Sequence, residues 1–155
     1  MLSVRFTALC ALLLLSSEVV SGNLIETAYS RYYNRADIKP LGTLAGKSIH
    51  DQGFRTVLPS DPRQPAGQYF IVGFLNSSNP VPERAQVEFY RTDSKDRQTI
   101  SWSLADRQLK PWLYLGITGD EWPNAEFRPL AWRLTLFDQQ GRVLDEWKSF
   151  LWEMP

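Results

Sequence analysis

Beyond Gly53 the sequence is a series of short apolar runs separated by turn-forming residues, the rhythm of an all-β domain. Phe54 to Leu58 predicts a first strand, stopped by Pro59 and the proline-rich Asp61-Pro62-Arg63-Gln64-Pro65. Gln68 to Leu75 is almost wholly apolar, the pattern of a strand covered on both faces, and Asn76-Ser77-Ser78-Asn79-Pro80 ends it. Ala85, Val87 and Phe89 alternate with Gln86 and Glu88, and Ile100, Trp102 and Leu104 alternate with Ser101 and Ser103. Each alternation predicts a half-buried strand. Pro111 to Thr118 is again continuously apolar. After an irregular loop from Gly119 to Pro129, the clearest hairpin follows. Leu130, Trp132, Leu134 and Leu136 lead into the turn Asp138-Gln139-Gln140-Gly141, and Arg142 to Trp152 returns. Glycine at the last turn position suits a positive φ beside the returning strand.

No amphipathic helix interrupts this series. Seven or eight strands of this spacing predict an antiparallel β-sandwich of immunoglobulin-like architecture. The cysteine pair of antibody-type domains is absent. The domain is expected to span residues 53–155. Residues 23–52 read as an N-terminal segment packed on it: Tyr29, Tyr32 and Tyr33 make the segment too aromatic for a solvated tail, and Lys39-Pro40-Leu41-Gly42 breaks any longer element.

Residues 1–22 read as a cleavable export signal. Arg5 supplies a basic end, Phe6 to Leu15 an apolar run, and Val20-Ser21-Gly22 a small-residue site that places cleavage before Asn23. The run is too short to span a bilayer, and no second apolar run occurs, so no membrane span is expected after cleavage. Cys10, the only cysteine, lies inside this leader. The exported chain would enter an oxidising compartment without a thiol or a disulfide, which favours a bacterial periplasmic or secreted protein. Its core must then stabilise it unaided, and 6 Trp, 6 Tyr and 8 Phe are available to fill that core.

Charge narrows the partners. The chain carries 17 Lys+Arg against 17 Asp+Glu, and losing Arg5 and Glu18 with the leader keeps the balance at zero. Both signs are interspersed, with no basic stripe for a phosphate backbone, which disfavours nucleic acid.

Candidate chemistry is sparse. Gly42-Thr43-Leu44-Ala45-Gly46-Lys47-Ser48 resembles a phosphate-cradling loop but has one residue too few between its glycines. His50, the only histidine, stands beside Asp51 without a serine in a nucleophile-elbow context. Asp120-Glu121 and Asp145-Glu146 are adjacent carboxylates that would point to opposite faces of a strand, the wrong disposition for paired acid–base work. Asp120, Glu121, Asn124 and Glu126 offer oxygen ligands in one loop, but at no calcium-loop spacing. Asn76-Ser77-Ser78 matches a glycosylation acceptor by pattern alone.

Aromatic side chains carry more weight. Trp122 sits in a loop between Glu121 and Pro123, where an indole can serve as a flat platform for a sugar, and Trp112 and Tyr114 can contribute from a strand face. The ligand-binding candidates are therefore Trp122, Asp120, Glu121, Trp112 and Tyr114. No catalytic residue, metal ligand or cofactor is expected. The function expected is a non-catalytic exported protein-interaction or structural module of the cell envelope, binding another protein through sandwich edges or an apolar patch that includes Phe137 and Phe150. Carbohydrate binding through loop aromatics is the first alternative, and a small secreted hydrolase the second.

Overall fold

A computed structural model describes residues 23–37, 54–75, 81–107 and 109–153. The leader at 1–22, the Gly42–Ser48 loop, His50 and the Asn76–Ser78 acceptor pattern lie outside the described residues. Among the described residues eight strands run in chain order: β1 (Ile25–Tyr33), β2 (Arg55–Pro59), β3 (Gly67–Phe74), β4 (Arg84–Arg91), β5 (Gln98–Ser103), β6 (Trp112–Thr118), β7 (Pro129–Phe137) and β8 (Val143–Lys148).

They form two sheets of four, ordered β1-β3-β6-β2 and β5-β4-β7-β8. All pairings are antiparallel except β2 with β6. Only β4-β5 and β7-β8 join neighbours in sequence within one sheet; the chain crosses between sheets from β3 to β4, β5 to β6 and β6 to β7. This is the immunoglobulin-like sandwich that strand rhythm predicts. The parallel β2, at the edge beside β6, is the departure from that pattern.

Residues 23–52 prove to be more than a covering segment where they are described. β1 is an integral edge strand, in register with β3 from Thr27↔Gly73 to Tyr33↔Gly67, with a bulge between Ile25 and Thr27. Beyond it, Asn34 caps a single helical turn at 35–37, its Oδ1 accepting from the N–H groups of Ala36 and Asp37.

The main core lies between the sheets. Phe70, Val72, Leu113, Leu115 and Ile117 from the first meet Val87, Phe89, Trp132, Leu134 and Leu136 from the second. Phe70 is at its centre, its ring 5.3 Å from that of Trp132 and 6.2 Å from that of Phe89. Alternation along β4 and β7 sends their other side chains outward. The final hairpin turns as its sequence predicts: Gly141 has φ +78°, its N–H bonds to the Asp138 carbonyl, and the Arg142 N–H bonds to the Asp138 carboxylate.

The outward faces of the two sheets differ in kind. On the second sheet, Glu88 accepts from Arg133 Nε at 2.7 Å and from Nη2, and lies 3.6 Å from Arg97. Arg133 also reaches Glu146, which meets Lys148. This ladder runs across β4, β7 and β8 on the outward face, with Glu88 itself buried beneath the cations. The first sheet instead carries a second apolar cluster on its outward face, Val57, Tyr69, Ile71 and Tyr114, with Tyr33 and Trp112 packed against it. β3 and β6 are thus covered on both sides, the physical reason that their sequences are unbroken apolar runs.

Candidate functional site

Strand register arranges the outward face of the first sheet in rows. Thr27, Gly73, Trp112 and Arg55 form one row across β1, β3, β6 and β2. Tyr29, Ile71, Tyr114 and Val57 form the next, and Arg31, Tyr69, Gly116 and Pro59 the third. Tyr33 lies at the end of β1 beyond them. Apart from Thr27 and the two glycines, these strand positions hold aromatic, aliphatic and arginine side chains, and none holds a carboxylate.

Two glycines make room for the rings. A Cβ on Gly116 would stand 2.5 Å from Tyr69 Cε1 and 2.7 Å from Cζ, so the phenol lies directly over this backbone. A Cβ on Gly73 would stand 3.0 Å from Trp112 Cζ3, so the indole's six-membered ring lies over that strand. Small residues next to large ones across strands let the aromatic layer lie close to the sheet.

The face has two tiers. Val57, Tyr69 and Ile71 are fully buried. The Tyr69 hydroxyl donates to the Pro65 carbonyl at 2.7 Å, satisfying the one polar atom that its burial would otherwise strand. Tyr33 packs edge-on to Tyr69, with ring centres 5.6 Å apart, and at a tilt to Tyr114 at 6.4 Å. Burial pushes the hydroxyl pKa values of Tyr69, Tyr33 and Tyr114 above the ordinary tyrosine range. Above these, Tyr29 is 43% and Phe54 55% exposed, Arg31 is exposed, and Arg55 and Trp112 are half-buried.

The two arginines are held by rings. The Arg31 guanidinium lies 5.1 Å from the Tyr33 ring centre; that of Arg55 lies 4.8 Å from Phe54 and 5.8 Å from Tyr114. Neither has a carboxylate partner among the described residues. Arg55 Nε is buried with no hydrogen-bond acceptor. Cation–π contact holds each side chain in place and leaves donors free.

The five candidate residues divide between two places. Trp112 and Tyr114 belong to this face. Trp122, expected as a loop platform, is instead 1% exposed and packs in the core, with its ring 5.6 Å from Phe89 and its Nε1 donating to the Phe127 carbonyl. The loop Gly119–Pro129 folds Trp122 inward, with Phe127 packed partly against the same core, so Trp122 offers no surface to a ligand. Asp120 and Glu121 stand exposed on a 3-10 turn (Gly119–Glu121) beside it, away from the aromatic rows. No group of three His, Cys, Asp or Glu able to hold a metal occurs among the described residues. Asn124 Oδ1 is occupied by the Glu126 N–H. Asp145 and Glu146 do diverge: Asp145 binds the backbone of β1, and Glu146 joins the outer ladder.

Tyr29, Arg31, Phe54 and Arg55 escape a search for loop aromatics because they belong to edge strands and their junctions. The cluster Tyr29-Tyr32-Tyr33 was the available signal, and period-2 alternation from Thr27 to Tyr33 places Tyr29, Arg31 and Tyr33 on one face.

No protein family matches this sequence, and no curated protein or solved structure matches it either.

Proposed function

We propose that this chain is an exported, non-catalytic β-sandwich of the cell envelope that works by binding another protein, and that the partner meets the outward face of the first sheet. The observation that carries this reading is the presence on one face of exposed Tyr29 and Phe54 with Arg31, held against Tyr33, and Arg55, held against Phe54, two cations without carboxylate partners among the described residues. Tyr, Trp and Arg are the residue types that dominate binding energy at protein interfaces, and rigid aromatic anchors lose little entropy on contact. The buried tier beneath holds these groups in fixed positions, which lowers the cost of association. The partner surface expected is apolar at its centre and carries carboxylates for the two guanidinium groups. Export rests on the leader pattern and on the confinement of cysteine to it.

A photo-crosslinking residue at position 29, installed in the protein in its native host, tests this. A discrete protein adduct is expected there and none from the same residue at Gln86, which lies on the outward face of the second sheet. An adduct at Gln86 alone, or at neither position, contradicts the reading.

Carbohydrate recognition has one specific observation in its favour, now at Trp112 rather than Trp122. Its ring over Gly73, near exposed Tyr29 and Phe54, is a surface on which a sugar ring can stack. Tryptophan fluorescence against a panel of polysaccharides separates the two readings: a response abolished by Trp112→Ala favours sugar, and none favours protein.

A further inference from the structure

The four edge strands of the sandwich are unequally protected. β1 carries Glu26, Arg31 and a bulge; β2 carries Arg55 and ends at Pro59; β8 carries Asp145, Glu146 and Lys148 and pairs with β7 across a register shift. Charges, proline and bulges are the devices by which edges resist pairing with another chain. β5 has none of them. Gln98-Thr99-Ile100-Ser101-Trp102-Ser103 contains no charge and no proline, and its pairing with β4 runs without a shift from Arg84↔Ser103 to Phe89↔Gln98. Among the described residues its backbone makes no hydrogen bond beyond that ladder, leaving a row of donors and acceptors open. Thr99, Ser101 and Ser103 are exposed, and Ile100 is only half-buried.

We propose that β5 pairs edge to edge with β5 of a second copy of this chain, joining two four-stranded sheets into one across a two-fold axis. Two-fold symmetry requires the strands to run antiparallel. Every register centred on a residue keeps inward side chains with inward ones, and two of these pair the longest stretch of β5. One sets Ile100 against its own copy and Thr99 against Ser101; the other sets Ser101 against its own copy and Ile100 against Trp102. Both place hydroxyl side chains together outside and set Ile100 against Ile100 or Trp102 inside, which are favourable cross-strand pairs; the first also sets Gln98 against Trp102. Neither opposes like charges. This inference is independent of the partner face on the first sheet.

Sedimentation velocity of the purified protein is expected to give a species of twice the chain mass. The double variant Thr99→Lys/Ser101→Lys sets lysines against lysines in either register, and its dimer is expected to dissociate at least tenfold more readily. The variant Thr99→Glu/Ser101→Glu is expected to do the same. An equimolar mixture of the two should restore the dimer, and circular dichroism like that of the wild type confirms that each folds. A wild type that stays monomeric, leaving the edge to a different chain or to none, overturns the proposal. So does a lysine variant that dimerises as well as the wild type, or a mixture that fails to restore pairing.

Discussion

Asp145 on the last strand holds Leu24 at the start of the first: its Oδ2 accepts the N–H of Leu24 and that of Ile25, each at 2.8 Å. One carboxylate oxygen thus ties together the two ends of the domain and the two sheets, in a protein whose only cysteine, Cys10, lies in the predicted leader. Leu24 and Ile25 are themselves buried, so removal of the acceptor would leave two N–H groups without easy access to water. Asp145→Ala is expected to lower stability by about 2–4 kcal/mol, with Asp145→Asn losing less. Urea unfolding measures the loss, and amide exchange should show β1 opening ahead of β3.

Trp122 distinguishes packing from recognition. Trp122→Ala removes a buried indole, its hydrogen bond to Phe127 and its stacking with Arg91, and is expected to cost about 3–5 kcal/mol. Tyr29→Ala, at an exposed strand position, is expected to change stability by less than about 0.5 kcal/mol. Thermal melts of the two variants check both figures. A small loss at Trp122 would mean that its side chain is not packed in the core.

Most of the fold was legible because period-2 alternation and turn residues report which strands have one buried face. Ala85-Val87-Phe89 and Trp132-Leu134-Leu136 carry that signal in β4 and β7, whereas Leu130, which fits the same alternation, is exposed. Continuous runs such as Gln68 to Leu75 report two buried faces, but not what each face meets. That gap hid the aromatic rows, since register alone brings Tyr29 beside Ile71 and Tyr114. Loop position misled for Trp122, because an irregular segment can fold inward as readily as outward. β1 was obscured by its bulge and by outward aromatic side chains, which blur the contrast between buried and solvent positions. The apolar patch expected at Phe137 and Phe150 divides: Arg84 covers Phe137, with its guanidinium 3.8 Å from the ring centre, and Phe150 is 84% exposed.

Gly116 tests the close fit of the aromatic layer. Gly116→Ala places a methyl group inside the van der Waals envelope of the Tyr69 ring, which the rows on either side hold in place. A loss of about 1–3 kcal/mol is expected, as for overpacking elsewhere. Combining it with Tyr69→Leu should recover part of that loss. Additive effects in chemical denaturation would contradict direct contact.

The buried phenols set an alkaline limit. Burial raises the hydroxyl pKa values of Tyr33, Tyr69 and Tyr114, so the folded state keeps protons that the unfolded chain releases near pH 10. Their contribution to stability is complete below about pH 10 and declines as pH rises toward the folded values. Phenolate absorbance should show these three titrating above the ordinary tyrosine range. Tyr69→Phe should remove the latest step, at a cost of about 1 kcal/mol for the hydrogen bond to Pro65.

The most direct measurement is the affinity of the protein partner crosslinked from position 29 for the wild type and for Arg31→Glu/Arg55→Glu. Arg31 is exposed and Arg55 is half-buried against Phe54 and Tyr114, so circular dichroism like that of the wild type is required of the variant. Binding is expected to weaken by roughly 30-fold or more in the folded variant, the effect of losing interface anchors. Equal affinity for both proteins would show that the partner does not use this face.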